Sequence, residues 1–111
     1  MMGVPRLKRE TENGVEVAVM VSPGWGAGWS TWSHEDEETE ILLFHKDLAE
    51  LVLKGENGSA ARLAEEMTDA YVGGAESLEV VWIPEGTKFW VHEYDGSESL
   101  RTMKSFDWVT A

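Results

Sequence analysis

The predicted fold rests on residues 78–94, LEVVWIPEGTKFWVHEY. The first part of this stretch is rich in β-branched and aromatic side chains, which favour strands. Pro84 and Gly86 then occupy positions typical of a tight turn, and residues 88–94 return with a second strand pattern. The stretch therefore predicts a β-hairpin, followed by a second turn at Asp95–Gly96.

Upstream of the hairpin, the sequence predicts one more strand and two helices. Apolar residues alternate over residues 15–21, as in a half-buried strand, and recur at three-and-four spacing after Lys46 and again from Ala60 to Tyr71, as in helices. The predicted fold class is α+β, a mostly antiparallel sheet of four to five strands with two helices packed on one face. We expect residues 1–13 to form a polar N-terminal arm and residues 14–111 a single α+β domain.

Charge and composition restrict the classes of function. The chain has 111 residues, with 21 Asp and Glu, 9 Lys and Arg, and no Cys, which excludes disulfides and thiolate metal sites. Because a net charge of −12 repels phosphates, direct binding to nucleic acid is disfavoured and a basic protein surface is a favoured partner. High negative charge also keeps a small, tryptophan-rich protein soluble, which is the simpler explanation.

The sequence has neither a membrane-spanning stretch nor a signal region, and this bears on where the protein is located in the cell. Its apolar stretches are far shorter than the roughly 20 residues of a membrane span, and its first residues have no apolar signal region. We therefore expect a cytoplasmic protein without a membrane partner.

The most unusual segment is the glycine- and tryptophan-rich loop, GWGAGWSTW, residues 24–32. Its spacing fits neither a dinucleotide-binding fingerprint nor a P-loop. Two interpretations stay open. Either the glycines admit a ligand or partner to the backbone while a tryptophan stacks on it, or the tryptophans plug the end of the sheet. The residues concerned are Gly24, Trp25, Gly26, Gly28, Trp29 and Trp32.

Acidic residues are the second candidate feature. They form a run at Glu35, Asp36, Glu37, Glu38 and Glu40, and they face outward from the second helix at Glu65, Glu66 and Asp69. A solvated loop is the ordinary interpretation of such a run, and contact with basic side chains of a partner is the alternative. The EF-hand pattern is missing, so no metal site is predicted.

No catalytic site is predicted. His92, Tyr94 and Asp95 lie close together on the hairpin, yet neither a zinc motif nor a nucleophile with its base accompanies them. Together with Ser97, Trp32 and the glycines Gly24, Gly26 and Gly28 of the loop, these residues would line a ligand pocket if the fold brought the two segments together. We expect neither an enzyme nor a bound cofactor.

Two stretches, VSPGWGAGWSTW (residues 21–32) and IPEGTKFWVHEYDGSES (residues 83–99), resemble small acidic proteins carried by bacteriophages and prophages. The resemblance implies a phage origin, with no catalytic residues to transfer. Small acidic phage proteins include inhibitors of bacterial defence systems, among them anti-CRISPR and anti-restriction proteins.

These observations lead to one expected function and two alternatives. The first is an inhibitor in the bacterial cytoplasm whose acidic residues dock on a basic, nucleic-acid-handling surface of a host defence protein, with Trp25 or Trp29 as the buried anchor. An alternative is a protein that sequesters a nucleotide signal in the loop–turn pocket. The other is a phage structural or assembly protein, for which the tryptophan content is compatible with a homodimer.

Overall fold

The computed structural model describes residues 3–24 and 28–102. Five strands, three α-helices and two short 3₁₀ turns occur in the order β1 (Lys8–Thr11), β2 (Gly14–Val21), a 3₁₀ turn (Ser30–Trp32), α1 (Asp36–Phe44), α2 (Lys46–Leu53), α3 (Asn57–Met67), a second 3₁₀ turn (Gly73–Ser77), β3 (Glu79–Pro84), β4 (Phe89–Tyr94) and β5 (Ser97–Thr102). The α+β class is thus confirmed, whereas the described helices number three rather than two.

The strands form two antiparallel sheets instead of one. The first sheet has the order β1-β2-β3, and the second is the hairpin β4-β5. A turn is present where predicted, since the N–H of Thr87 donates to the carbonyl of Pro84 at 3.1 Å. The hairpin predicted across it is wrong, because β3 pairs with β2 while β4 pairs with β5.

The hairpin of the second sheet closes at Asp95–Gly96, one of the turn signals in the sequence. Both residues have positive φ, 52° and 85°. That combination is the geometry of a type I′ turn, whose twist matches that of the flanking strands and which favours an Asp-Gly pair.

Strand β2 lies in the middle of the molecule, with both of its faces covered. Ala18 and Met20 pack in the main core with side chains of the helices, and Val17 and Val19 pack in a second cluster with Phe44. The second sheet contributes Phe89 and Leu100, which pack against the second cluster. The alternation predicts a half-buried strand, but residues 17–21 are buried throughout because a layer lies on each side.

The acidic run becomes the start of α1 rather than a loop. Asp36, Glu37 and Glu38 occupy the first turn of that helix. Negative side chains are favourable there because the helix N-terminus carries unpaired N–H groups and partial positive charge. Helix α2 ends at Leu53, and the predicted stop signal, Gly55, follows two residues later with a φ of +77°.

The predicted N-terminal arm is largely part of the fold. Residues 8–11 form β1, and the carbonyl of Pro5 accepts a hydrogen bond from the N–H of Lys46 at 2.9 Å. Each base of this segment faces an acid: Arg6 with Glu40, Lys8 with Glu85, and Arg9 with Glu16. The arm is therefore attached because strand pairing and opposite charges both hold it.

Within the described residues, no helix combines the length and apolar character that crossing a membrane requires.

Candidate functional site

Both ends of the glycine- and tryptophan-rich loop are held by the carboxylate of Glu98, which is only 1% exposed. Its Oε1 accepts a hydrogen bond from the N–H of Ser22 at 3.0 Å, before the loop. Its Oε2 accepts from the N–H of Trp29 at 2.8 Å and from the N–H and hydroxyl of Thr31 at 3.0 and 2.6 Å, near the end of the loop. These four donors satisfy the buried carboxylate in place of water. We call this group of contacts the Glu98 clamp.

Sequence reasoning missed the burial of Glu98, although the pattern of β5 contains a signal for it. Alternate residues of a strand share a face, so Glu98 lies on the same face as Leu100, which packs against the core. An acid on the apolar face of a strand indicates a carboxylate with dedicated hydrogen-bond donors.

The structure does bring the loop beside the Asp95–Gly96 turn. The N–H of Glu98 donates to the carbonyl of Ser22 at 2.8 Å, and the hydroxyl of Ser97 donates to the carbonyl of Pro23 at 2.7 Å. The polar groups at this junction thus bind one another. Ser97, predicted to line a ligand pocket, here joins the hairpin to the loop.

The loop glycines are needed for close approach to the second 3₁₀ turn. A Cβ added to Gly24 would lie 2.1 Å from the hydroxyl oxygen of Ser77, and one added to Gly74 would lie 2.3 Å from the carbonyl oxygen of Gly28. Only glycine permits backbones to come this near. Gly24 is therefore explained by packing within the protein. Gly28 is explained in the same way, because a Cβ added there would lie 2.7 Å from Cδ1 of Trp32. Gly26 lies outside the described residues.

Trp29 is a core residue, which corrects its prediction as a surface anchor. It is fully buried, at 0% exposed, and its indole Nε1 donates to the carbonyl of Leu42 at 2.7 Å. A large aromatic ring with its one polar atom satisfied is a stable filling for a small core. Trp25, the other predicted anchor, lies outside the described residues.

Trp32 is half-buried and links three parts of the chain. Its ring stacks on that of Tyr71, with 5.3 Å between centroids, and its Nε1 donates to a carboxylate oxygen of Glu93 at 3.3 Å. Two neighbouring residues of β4, His92 and Tyr94, are exposed and lie on the strand face opposite to Glu93. The predicted pocket residues are thus divided between two faces of the hairpin.

Two acids of the run make contacts within the protein. Glu38 accepts a hydrogen bond from the N–H of Asp69 at 2.7 Å, and Glu40 lies 3.7 Å from the guanidinium of Arg6. Glu40 also accepts from the N–H of Val4 at 3.4 Å. Both acids are half-buried, so the acids of the run that face solvent are the three at residues 35–37.

The contact between Glu38 and Asp69 places the start of α1 beside the end of α3. Two acidic segments that are separate in the sequence therefore come together, and we call their exposed members the acidic face: Glu35, Asp36, Glu37, Glu65, Glu66 and Asp69. Among the described residues, no ion pair involves any of these six carboxylates. The charge of the acidic face is therefore not neutralised by an ion pair within the described residues.

Within residues 3–24 and 28–102, no group of three His, Asp or Glu side chains is placed to hold a metal ion. No protein-family model matches the chain, and neither a comparison with curated proteins nor one with solved structures finds a match.

Proposed function

We propose that this protein is a binding domain whose acidic face docks on a basic, nucleic-acid-handling surface of another protein. The observation that carries the proposal is the hydrogen bond from the N–H of Asp69 to Glu38, because it places the acidic start of α1 beside the acidic end of α3. A net charge of −12 adds a long-range field that would speed encounter with a basic partner.

An inhibitory role follows because the protein would compete with nucleic acid for the basic side chains of such a partner. A surface that binds phosphates is lined with Lys and Arg, and carboxylates that occupy it exclude the nucleic acid. We propose a component of a bacterial defence system as the target, with the protein acting in the host cytoplasm as anti-CRISPR and anti-restriction proteins do. That part of the proposal is supported by the resemblance of two stretches to phage proteins.

The loop offers less support for a nucleotide-binding function. Its described glycines pack against the chain, and the Glu98 clamp uses the backbone N–H groups of Trp29 and Thr31 that would otherwise donate to a phosphate. A carboxylate at that position also repels anions. We therefore place the proposed function on the acidic face.

Charge reversal tests the proposal. The chain is immobilised and exposed to bacterial lysate at low and raised salt, and each captured protein is then purified and assayed with the variant Glu37→Lys/Glu65→Lys/Asp69→Lys. We expect this variant to lose a partner that DNA or RNA displaces from the unmodified protein, since the same cationic groups bind both.

A control variant has the same change in net charge outside the acidic face: Glu10→Lys/Glu12→Lys/Glu79→Lys, all at exposed positions. It should retain the partner. If both variants bind equally well, the acidic face is not the binding surface. If nucleic acid does not compete, the partner's surface does not handle nucleic acid. Either result makes the proposal wrong.

A further inference from the structure

A groove runs along one side of α3, between this helix and the segment that follows it. Its first half has a volume of about 580 Å³, lies beside the start of the helix, and includes Gly58, Ala75 and Leu78 in its lining. The second half, about 370 Å³, lies beside the end of the helix and includes Glu65 and Val72. Ala61 lines both parts, and we call the two together the α3 groove.

The walls of the α3 groove are built into the fold. Gly58, Ala61 and Glu65 are spaced by three and four residues, which places them along one side of α3. At the start of α3, the side-chain amide of Asn57 donates to three backbone carbonyls of the opposite wall, those of Ala75 and Leu78 at 3.0 Å and of Glu76 at 3.4 Å. Because these hydrogen bonds fix the walls in place, the protein loses little conformational entropy when a ligand binds in the groove.

The lining of the α3 groove includes buried apolar side chains and exposed acids. Val52 and Leu78 are buried core residues that contribute to the first half, and Ala61 narrows the middle. Glu76 lines the first half and Glu65 the second, both exposed. The occupant that matches this pattern has apolar side chains flanked by cations.

We propose that the α3 groove binds a peptide segment of the partner in which apolar side chains alternate with arginine or lysine. This inference rests on the proposed function, and Glu65 connects the two because it belongs to both the groove and the acidic face. The acidic face supplies rate and specificity, while burial of the apolar side chains in the groove supplies most of the affinity. The groove takes the place of the tryptophan anchor expected at Trp29.

The experiment uses two synthetic heptapeptides, one alternating arginine with valine and one alternating arginine with serine. Each is titrated into the full chain labelled with ¹⁵N, and amide shifts locate the binding site. We expect the valine peptide to bind at least about tenfold more tightly than the serine peptide. Its largest shifts should fall on residues that line the groove, among them Ala61, Glu65 and Leu78.

Blocking variants complete the test. Gly58→Leu places a side chain in the groove, since a Cβ at this position meets nothing within 4 Å, and Gly58→Ala is the matched control with the smaller group. We expect Gly58→Leu to weaken the valine peptide by about tenfold or more, and Gly58→Ala to change it by less than about threefold. A second variant, Glu65→Lys/Glu76→Lys, changes only exposed residues and should also weaken binding.

Equal affinity for the two peptides, shifts that fall outside the groove, or full binding by Gly58→Leu would each overturn the inference. Failure of the proposed function has a different signature. If charge reversal of the acidic face abolishes capture of a partner that Gly58→Leu still binds, the groove is wrong and the proposed function stands. If charge reversal leaves capture unchanged, the proposed function is wrong whatever the peptides do.

Discussion

Replacement of Glu98 by glutamine is the change that probes this structure most directly. Glutamine has nearly the same shape, but its amide has one oxygen where the carboxylate has two. If that oxygen takes the place of Oε2, the NH₂ group faces the N–H of Ser22, which loses its acceptor. The remaining donors, at Trp29 and Thr31, then bond to a neutral oxygen instead of a charged one.

The expected loss of stability follows from the hydrogen bonds that the substitution removes or weakens. A hydrogen bond to a charged group contributes about 1.5–3 kcal/mol, and bonds to a charged acceptor are roughly twice as strong as neutral ones. We therefore expect Glu98→Gln to lower the free energy of unfolding by about 2–4 kcal/mol, and Glu98→Ala, which removes every acceptor of the Glu98 clamp, by about 3–6 kcal/mol. At about 4 °C per kcal/mol, the melting temperature of Glu98→Gln should fall by about 8–16 °C.

Urea unfolding followed by circular dichroism measures the loss, and amide hydrogen exchange locates it. The N–H groups of Ser22, Trp29 and Thr31 should lose protection before those of β2. Glu93→Gln is the matched control, because Glu93 lies directly opposite Glu98 in the hairpin but is exposed. A stability of Glu98→Gln within about 0.5 kcal/mol of the unmodified protein, the range of ordinary surface substitutions, would refute the clamp.

Three further substitutions test the packing, each measured by urea unfolding. Gly74→Ala forces a methyl group against the Gly28 carbonyl and should cost about 1–3 kcal/mol; an unchanged midpoint would show that the two segments do not touch. Trp29→Phe removes the donor to the Leu42 carbonyl and part of a fully buried ring, so a loss of about 2–4 kcal/mol is expected, whereas a surface residue would show almost none. Gly58→Ala should stabilise the protein by about 0.5 kcal/mol, since alanine favours the helix and its Cβ meets nothing; a clear loss would contradict the open groove.

Local signals in the sequence predict the local elements well. Residues 15–21 alternate and form most of β2, and Asp95–Gly96 forms the expected turn because this pair tolerates positive φ. Helix α2 begins at Lys46 and is followed by Gly55, as expected. In each case, the information lies within a few residues along the chain.

The candidate site was predicted only in part. Exposed acids on α1 and α3 are visible in the sequence, yet their meeting depends on the hydrogen bond from Asp69 to Glu38, 31 residues apart. The α3 groove depends likewise on Asn57 holding residues about 20 positions downstream. Neither contact leaves a local pattern, because a surface acid and a surface amide look the same whether or not a distant backbone group bonds to them.

The sequence by itself determined the α+β class, the strong negative charge, the exclusion of thiolate chemistry and the turns at residues 84–87 and 95–96, since these follow from composition and from short-range backbone preferences. Only the tertiary structure decided that β4 leaves the first sheet, that Trp29 enters the core and that Glu98 holds the loop. The same turn at residues 84–87 is compatible with a hairpin or with a crossing to a second sheet. The choice between them depends on which arrangement buries both faces of β2, and that is a property of the whole chain.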